Sequence, residues 1–208
     1  MANNQQRHAL VGPADLWQMK REFQITYLRN SGLQPEHYLF DIGCGTLRGG
    51  VPLIQHLDAG RYFGLEIRAD VLAEGLLEIK ENALDAKRPC LIYGGDLAAL
   101  RLATRFDFIW AFSVLIHLSD EILDDCLGFV SAQLAPAGSF HANVNVGARR
   151  EWRWMGFPVT RRPMEFYQSR AEKSGLTVAD VGALGELGHI SGDPAGDAQR
   201  MLRFSKAD

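Results

Sequence analysis

From Tyr38 onward the chain alternates short apolar runs with stretches of helical periodicity, and that alternation restricts the fold more than any other feature. YLFDI, RYFGLEI, PCLIY, FDFIWAFSV and SFHANVNV have strand length and are rich in β-branched and aromatic residues. Between them lie residues 50–56, residues 69–83 and a stretch after Ser119, where apolar residues recur three and four apart. Strands that are apolar on both faces and alternate with helices build a mostly parallel sheet covered on both sides. The Ser119 hydroxyl can accept from an N–H left unpaired in the first turn of its helix, and Asp120 and Glu121 suit the positive end of the helix dipole. The last two runs, LTVADVGAL and QRMLRFS, have no helix between them; the Gly/Asp/Pro-rich stretch 188–197 predicts an antiparallel pairing. The expectation is a seven-stranded, mostly parallel α/β sheet with helices on both faces and a C-terminal antiparallel hairpin.

Ahead of the sheet, Leu16, Phe23, Tyr27 and Leu28 recur at near-helical spacing and Ser31-Gly32 supplies a stop. Residues 1–36 therefore read as a helical extension or lid, and 37–208 as one domain, within a length that one core can support. The 22 Lys+Arg and 25 Asp+Glu are interspersed and leave a net charge of −3, which argues against a broad basic face for nucleic acid or an anionic membrane. The N-terminal MANNQQRHAL has no apolar leader, and no apolar run reaches the ~30 Å of a bilayer core, so a soluble, cytoplasmic protein is expected. Cys44, Cys90 and Cys126 are scattered and lack zinc spacing, so neither a disulfide framework nor a metal is expected.

The loop after the first strand reads Asp41-Ile42-Gly43-Cys44-Gly45-Thr46-Leu47-Arg48-Gly49-Gly50. Glycines there let the backbone turn and approach a ligand at the carboxyl end of the sheet, where open α/β folds bind cofactors. Gly43 and Gly45 fit the first two positions of a dinucleotide fingerprint, but Arg48 stands where close helix packing needs a small residue. Glu66, after the second strand, is placed to accept ribose hydroxyls of either a nicotinamide dinucleotide or S-adenosylmethionine. Asp96, in GGDL after the third strand, separates the two, because a carboxylate there can accept an adenine amino group.

These features together resemble the class I S-adenosylmethionine-dependent methyltransferase family. DIGCG is similar to its glycine-rich first motif, Glu66 to its acidic residue after the second strand, and GGDL to its adenine-contacting loop. FDFIWAFSVLIHL and LAPAGSF are similar to the motifs at the fourth and fifth strands, and Leu47 departs where many members carry a third glycine. The resemblance covers about residues 38–146 and implies a Rossmann-like fold with S-adenosyl-L-methionine as cofactor. It implies that Asp41, Gly43, Cys44 and Gly45 surround the methionine moiety, and that Glu66, with Ile67 beside it, holds the ribose. Asp96 and Leu97 would contact adenine, and Phe112 and Ser113 would line the methyl side.

For the acceptor, His117 follows the fourth strand where this family often meets its substrate, and an imidazole titrates near neutral pH; it is a candidate base and substrate contact. His141, on the fifth strand, is a weaker substrate-binding candidate. The stretch 147–163 carries a local charge of +4 against the chain's −3. Its Arg149, Arg150 and Arg153 suit a carboxylate or phosphate, with Trp152 as a stacking wall, which favours an anionic acceptor. The fourth strand lacks the motif of amino methyltransferases that act on nucleic-acid bases. The expectation is O-methylation of a small metabolite, sugar or natural product. The alternatives are a nicotinamide-dependent oxidoreductase and a catalytically silent cofactor-binding subunit. Neither a nucleic-acid nor a membrane partner is expected, and the sequence does not fix an oligomeric state.

Overall fold

Alternating side chains on each central strand are apolar at both parities, so the sheet has two dry faces, each of which needs a helical layer. The computed structural model describes residues 2–207. Its strands are β1 (Leu39–Ile42), β2 (Tyr62–Glu66), β3 (Cys90–Tyr93), β4 (Phe106–Ala111), β5 (Leu134–Val144), β6 (Arg150–Trp154), β7 (Phe157–Arg161), β8 (Leu176–Ala183) and β9 (Arg200–Lys206). Its helices are α1 (Ala2–Ala9), α2 (Trp17–Asn30), α3 (Gly50–His56), α4 (Ala69–Glu81), α5 (Asp120–Gln133), α6 (Met164–Lys173) and α7 (Pro194–Asp197). Seven strands form one sheet in the order β3-β2-β1-β4-β5-β9-β8.

On one face Leu39, Phe108, Trp110 and Met201 pack under Phe23, Tyr27 and Leu28 of α2 and Leu53 of α3. On the other, Phe40, Ile109, Phe140 and Phe204 meet Leu123 and Leu127 of α5 and Tyr167 of α6. Ser119 Oγ accepts from Ile122 N–H at 3.3 Å and starts α5 as the sequence suggests. α2 is a layer of the same core: Tyr27 stacks on Trp110 with centroids 5.6 Å apart, and Gln24 Oε1 accepts from the Trp110 indole at 3.1 Å.

β1 pairs in parallel with β2 on one side and β4 on the other, which makes it the point where strand order reverses and a crevice opens beyond the carboxyl ends. β9 runs antiparallel to both β5 and β8, so β8 points the same way as β5. The loop 184–199 leaving β8 therefore emerges on the same edge as the loops after β1, β2 and β4.

Two elements lie outside the sequence expectations. The arginine stretch, read as a rim loop, is the β6–β7 hairpin, closed by Met155 and Gly156 with φ of 46° and 84°. Both turn residues take positive φ, as tight two-residue hairpin loops require. α1 also precedes the anticipated helix.

Candidate active site

The glycine-rich loop turns immediately after β1. Gly43 and Gly45 take φ of 71° and 59°, and a Cβ on them would come within 2.5 Å of Val114 Cγ2 and 2.9 Å of Val11 Cγ1. Leu47 adopts φ of 61° and buries its side chain completely, so a leucine follows the backbone path for which a glycine is usual. Packing of the buried side chain offsets the strain.

Glu66 ends β2 with its carboxylate buried. Oε2 accepts from Gly45 N–H at 3.0 Å and Oε1 from Arg68 N–H at 2.9 Å, which fixes the carboxylate against the loop while each oxygen retains a further lone pair. Asp41, at the carboxyl end of β1, accepts from the Tyr62 hydroxyl at 2.6 Å. Burial pushes its carboxyl up to about 7, with the Tyr62 bond pulling the other way. Burial likewise lowers Arg48 to about 10, with Asp41 opposing, and raises the Cys44 thiol, which is thereby held uncharged. Thr46 Oγ1 and Arg48 Nε are buried without a hydrogen-bond partner among the described residues. Polar atoms left unpaired on a loop of this kind fit a polar ligand resting on it.

Asp96 lies in the exposed loop after β3, where Oδ1 accepts from Ala99 N–H at 2.9 Å and Oδ2 is uncommitted. Leu97 beneath it is buried, and Ile67 across from Gly95 is 66% exposed. Phe112, past the end of β4, stacks on Trp110; Ser113 takes φ of 60° and donates its N–H to Asn143 Oδ1 at 2.6 Å. The carboxyl ends of β1 to β4 thus carry Asp41, Glu66, Asp96 and Phe112 along one edge.

Two segments cross this edge. Residues 10 and 11 come from the N-terminal side: Leu10 O accepts from Arg68 Nη1 at 3.1 Å and Val11 O from Arg48 Nη1 at 3.0 Å. The β6–β7 hairpin comes from the other side, and Phe157 lies under the Arg68 guanidinium at 5.8 Å. Arg68 touches both.

His117 stands in the turn between β4 and α5, with Nδ1 2.6 Å from Pro158 O; a carbonyl only accepts, so the proton is on Nδ1 and Nε2 carries the lone pair. His117 also lines a cavity of about 320 Å³ with Asp120, Arg149, Glu151, Thr160 and Arg162. His141 is elsewhere: it is buried under α2, Nδ1 bonded to Tyr27 Oη at 2.8 Å and Nε2 to Ser139 Oγ at 2.9 Å. Both its nitrogens are occupied. The arginines also divide. Arg149 and the buried Arg162 share Asp120, and Arg153 donates to Gly156 O. Arg150 lies 5.7 Å from the Trp152 ring, and Arg161 5.9 Å.

Sequence reasoning did not anticipate Tyr62 behind Asp41, Arg68 behind Glu66, or His189 paired with Asp197. Only the last left a signal, a His and an Asp in a loop that the antiparallel pairing returns to the cofactor edge. Among the described residues no group of three or more His, Cys, Asp or Glu is placed to hold a metal, and no helix is long and apolar enough to cross a membrane.

Residues 40–140, which run from β1 into β5 and contain the glycine loop, match the family described as methyltransferase domain. No curated protein matches significantly. Among solved structures, magnesium protoporphyrin IX methyltransferase from Synechocystis PCC 6803 is 16% identical, with a TM-score of 0.68 over 91% of this chain and 79% of its own. The glycopeptide N-methyltransferase MtfA, in complex with S-adenosylhomocysteine, is 15% identical, TM-score 0.69, over 91% and 89%. A methyltransferase from Clostridium acetobutylicum ATCC 824 is 12% identical, TM-score 0.67, over 92% of each chain. At these identities the structures speak for the fold. Residues 40–140 are thus a methyltransferase domain, and with its strand order 3-2-1-4-5-9-8 the chain has the fold of the class I S-adenosylmethionine-dependent methyltransferases.

Proposed function

We propose that the protein methylates a hydroxyl of a small-molecule acceptor bound beside the β4 end of this cleft. One observation carries the restriction to a small acceptor: residue 10 and Phe157 of the β6–β7 hairpin both reach Arg68, whose N–H holds Glu66, and so narrow the cleft beside it. A cleft bordered in this way by the chain's own segments suits a small molecule and obstructs a polymer.

S-adenosylmethionine supplies, when bound, a methyl group activated by the sulfonium. The chain's part is positioning and charge, the larger share of what an in-line displacement needs. In this reading Asp41, Gly43, Cys44 and Gly45 hold the methionine end. Glu66 accepts the ribose hydroxyls, its carboxylate pre-set by the Gly45 and Arg68 N–H groups and flanked by Ile67. Asp96 Oδ2 and the Leu97 backbone take the adenine edge, and Phe112 and Ser113 wall the methyl side. His117 Nε2 accepts a hydrogen bond from the substrate. The anionic-acceptor reading rests on Arg150 above Trp152, because Arg149 and Arg153 already have partners within the chain. Arg149 remains at the rim of the His117 cavity.

The test is transfer of labelled methyl from S-adenosylmethionine to panels of small alcohols, phenols and hydroxy acids, alongside amines, protein and nucleic acid. Label in an ether or ester of a small acceptor is the expected result. Label confined to amines or to polymers contradicts it.

A further inference from the structure

His189 lies in the loop between β8 and β9, on the cofactor edge of the sheet. Its Nδ1 is 2.8 Å from Asp197 Oδ1, and Asp197 also accepts from the Ser191 N–H at 3.0 Å and the Ser191 hydroxyl at 2.7 Å. Asp193 in turn caps α7 through the N–H groups of Ala195 and Gly196, which steadies the turn that carries Asp197. A carboxylate accepts, so Nδ1 holds the proton and the neutral ring bears its lone pair on Nε2.

That Nε2 is buried and has no hydrogen-bond partner among the described residues, and the side chain is 4% exposed. Buried polar atoms are nearly always paired, so a lone pair held in this way asks for an external donor. The ring packs on Phe112, centroids 5.7 Å apart, and edge-on to Phe23 at 5.2 Å. Phe112 directly follows the carboxyl end of β4, on the edge of the sheet where the cleft opens. The charged groups facing His189 are Lys20 from α2, Arg48 from the glycine loop and Asp197 itself. Burial and the two cations keep the ring neutral, and Asp197 favours the charged form once a proton arrives.

We propose that His189, oriented by Asp197, is the general base of the methyl transfer, an assignment that rests on the hydroxyl-methylation reading above. The acceptor oxygen forms its bond to the methyl carbon, the electron pair of the broken carbon–sulfur bond stays on sulfur, and the oxygen gives its proton to Nε2. The imidazolium so formed is stabilised by Asp197 and later loses the proton to water. His117 has a neutral carbonyl on its Nδ1, and so lacks the carboxylate that would stabilise its charged form.

The test is imidazole ¹⁵N NMR of the full chain, with His189 assigned by the His189→Gln spectrum, in complexes with S-adenosylhomocysteine and with sinefungin. Sinefungin carries an ammonium where the sulfonium methyl stands. Expected are an unprotonated Nε2 in both complexes, a clear Nε2 shift between them, and a lower titration midpoint in Asp197→Asn. Indistinguishable His189 resonances in the two complexes, a protonated Nε2 with a bare Nδ1, or an unmoved midpoint in Asp197→Asn overturns the assignment and leaves the methyltransferase reading intact. Failure of both compounds to bind by calorimetry removes that reading, and this proposal with it.

Discussion

Among single residues, Leu47 and His141 show how packing decides roles that composition leaves open. Leu47 stands in a left-handed conformation at a cost of about 1–2 kcal/mol, and its side chain offsets that by filling the space beside Gly50 and Gly75. His141 is a core residue whose imidazole joins α2 to the sheet, and burial lowers it to about 4. Because its folded value lies below the ordinary 6.5, its contribution to stability is complete above pH 6.5 and is lost as pH falls toward 4. The loss amounts to at most about 3 kcal/mol. Denaturant midpoints compared across pH 4–7 should fall more steeply with acid for the wild type than for His141→Gln; parallel curves would assign the acid sensitivity to other groups. Asp41, Glu66 and Asp96 were legible because each follows a strand in a fixed order. The His189–Asp197 pair left only a faint signal, a His and an Asp in one loop, because its meaning comes from the direction of β8, which one residue's neighbours in sequence do not reveal.

At the scale of elements, the helices with strong periodicity were visible within a residue or two, as residues 50–56 and the Ser119-capped helix show, whereas β5 starts at Leu134, five residues ahead of SFHANVNV. What escaped, α1 and the β6–β7 hairpin, is held by contacts distant in sequence rather than by its own pattern. α1 is docked through Arg7, which is buried and pairs with Glu74, Glu78 and Glu81 of α4. The hairpin is docked through the buried Arg162, whose guanidinium reaches Asp120 Oδ1 at 2.7 Å, Thr160 Oγ1 at 2.6 Å and Leu118 O at 2.8 Å. Replacing Arg162 with Ala leaves Asp120 with the exposed Arg149 and should cost about 3 kcal/mol. It should also open the Met155–Gly156 turn to proteolysis before the rest of the chain. Unchanged stability and cleavage would mean that apolar packing, not Arg162, holds the hairpin.

For the whole molecule, order is what joins the parts: a glycine loop after β1, a buried carboxylate after β2, an acidic loop after β3 and an aromatic shelf after β4, brought to one edge by parallel strands. The N-terminal segment and the hairpin both reach that edge and meet at Arg68, so parts of the chain far apart in sequence border the proposed cleft. The account stands or falls on Glu66 holding the ribose of the cofactor. Calorimetric titration of S-adenosylhomocysteine into the wild type and Glu66→Ala measures this directly. Removal of charge-assisted bonds worth roughly 1.5–3 kcal/mol predicts tight binding to the wild type and affinity weakened by about ten- to a hundredfold in the variant, with the fold retained. Equal affinity in both proteins, or no binding of S-adenosylhomocysteine by a wild type that binds NAD, would contradict it.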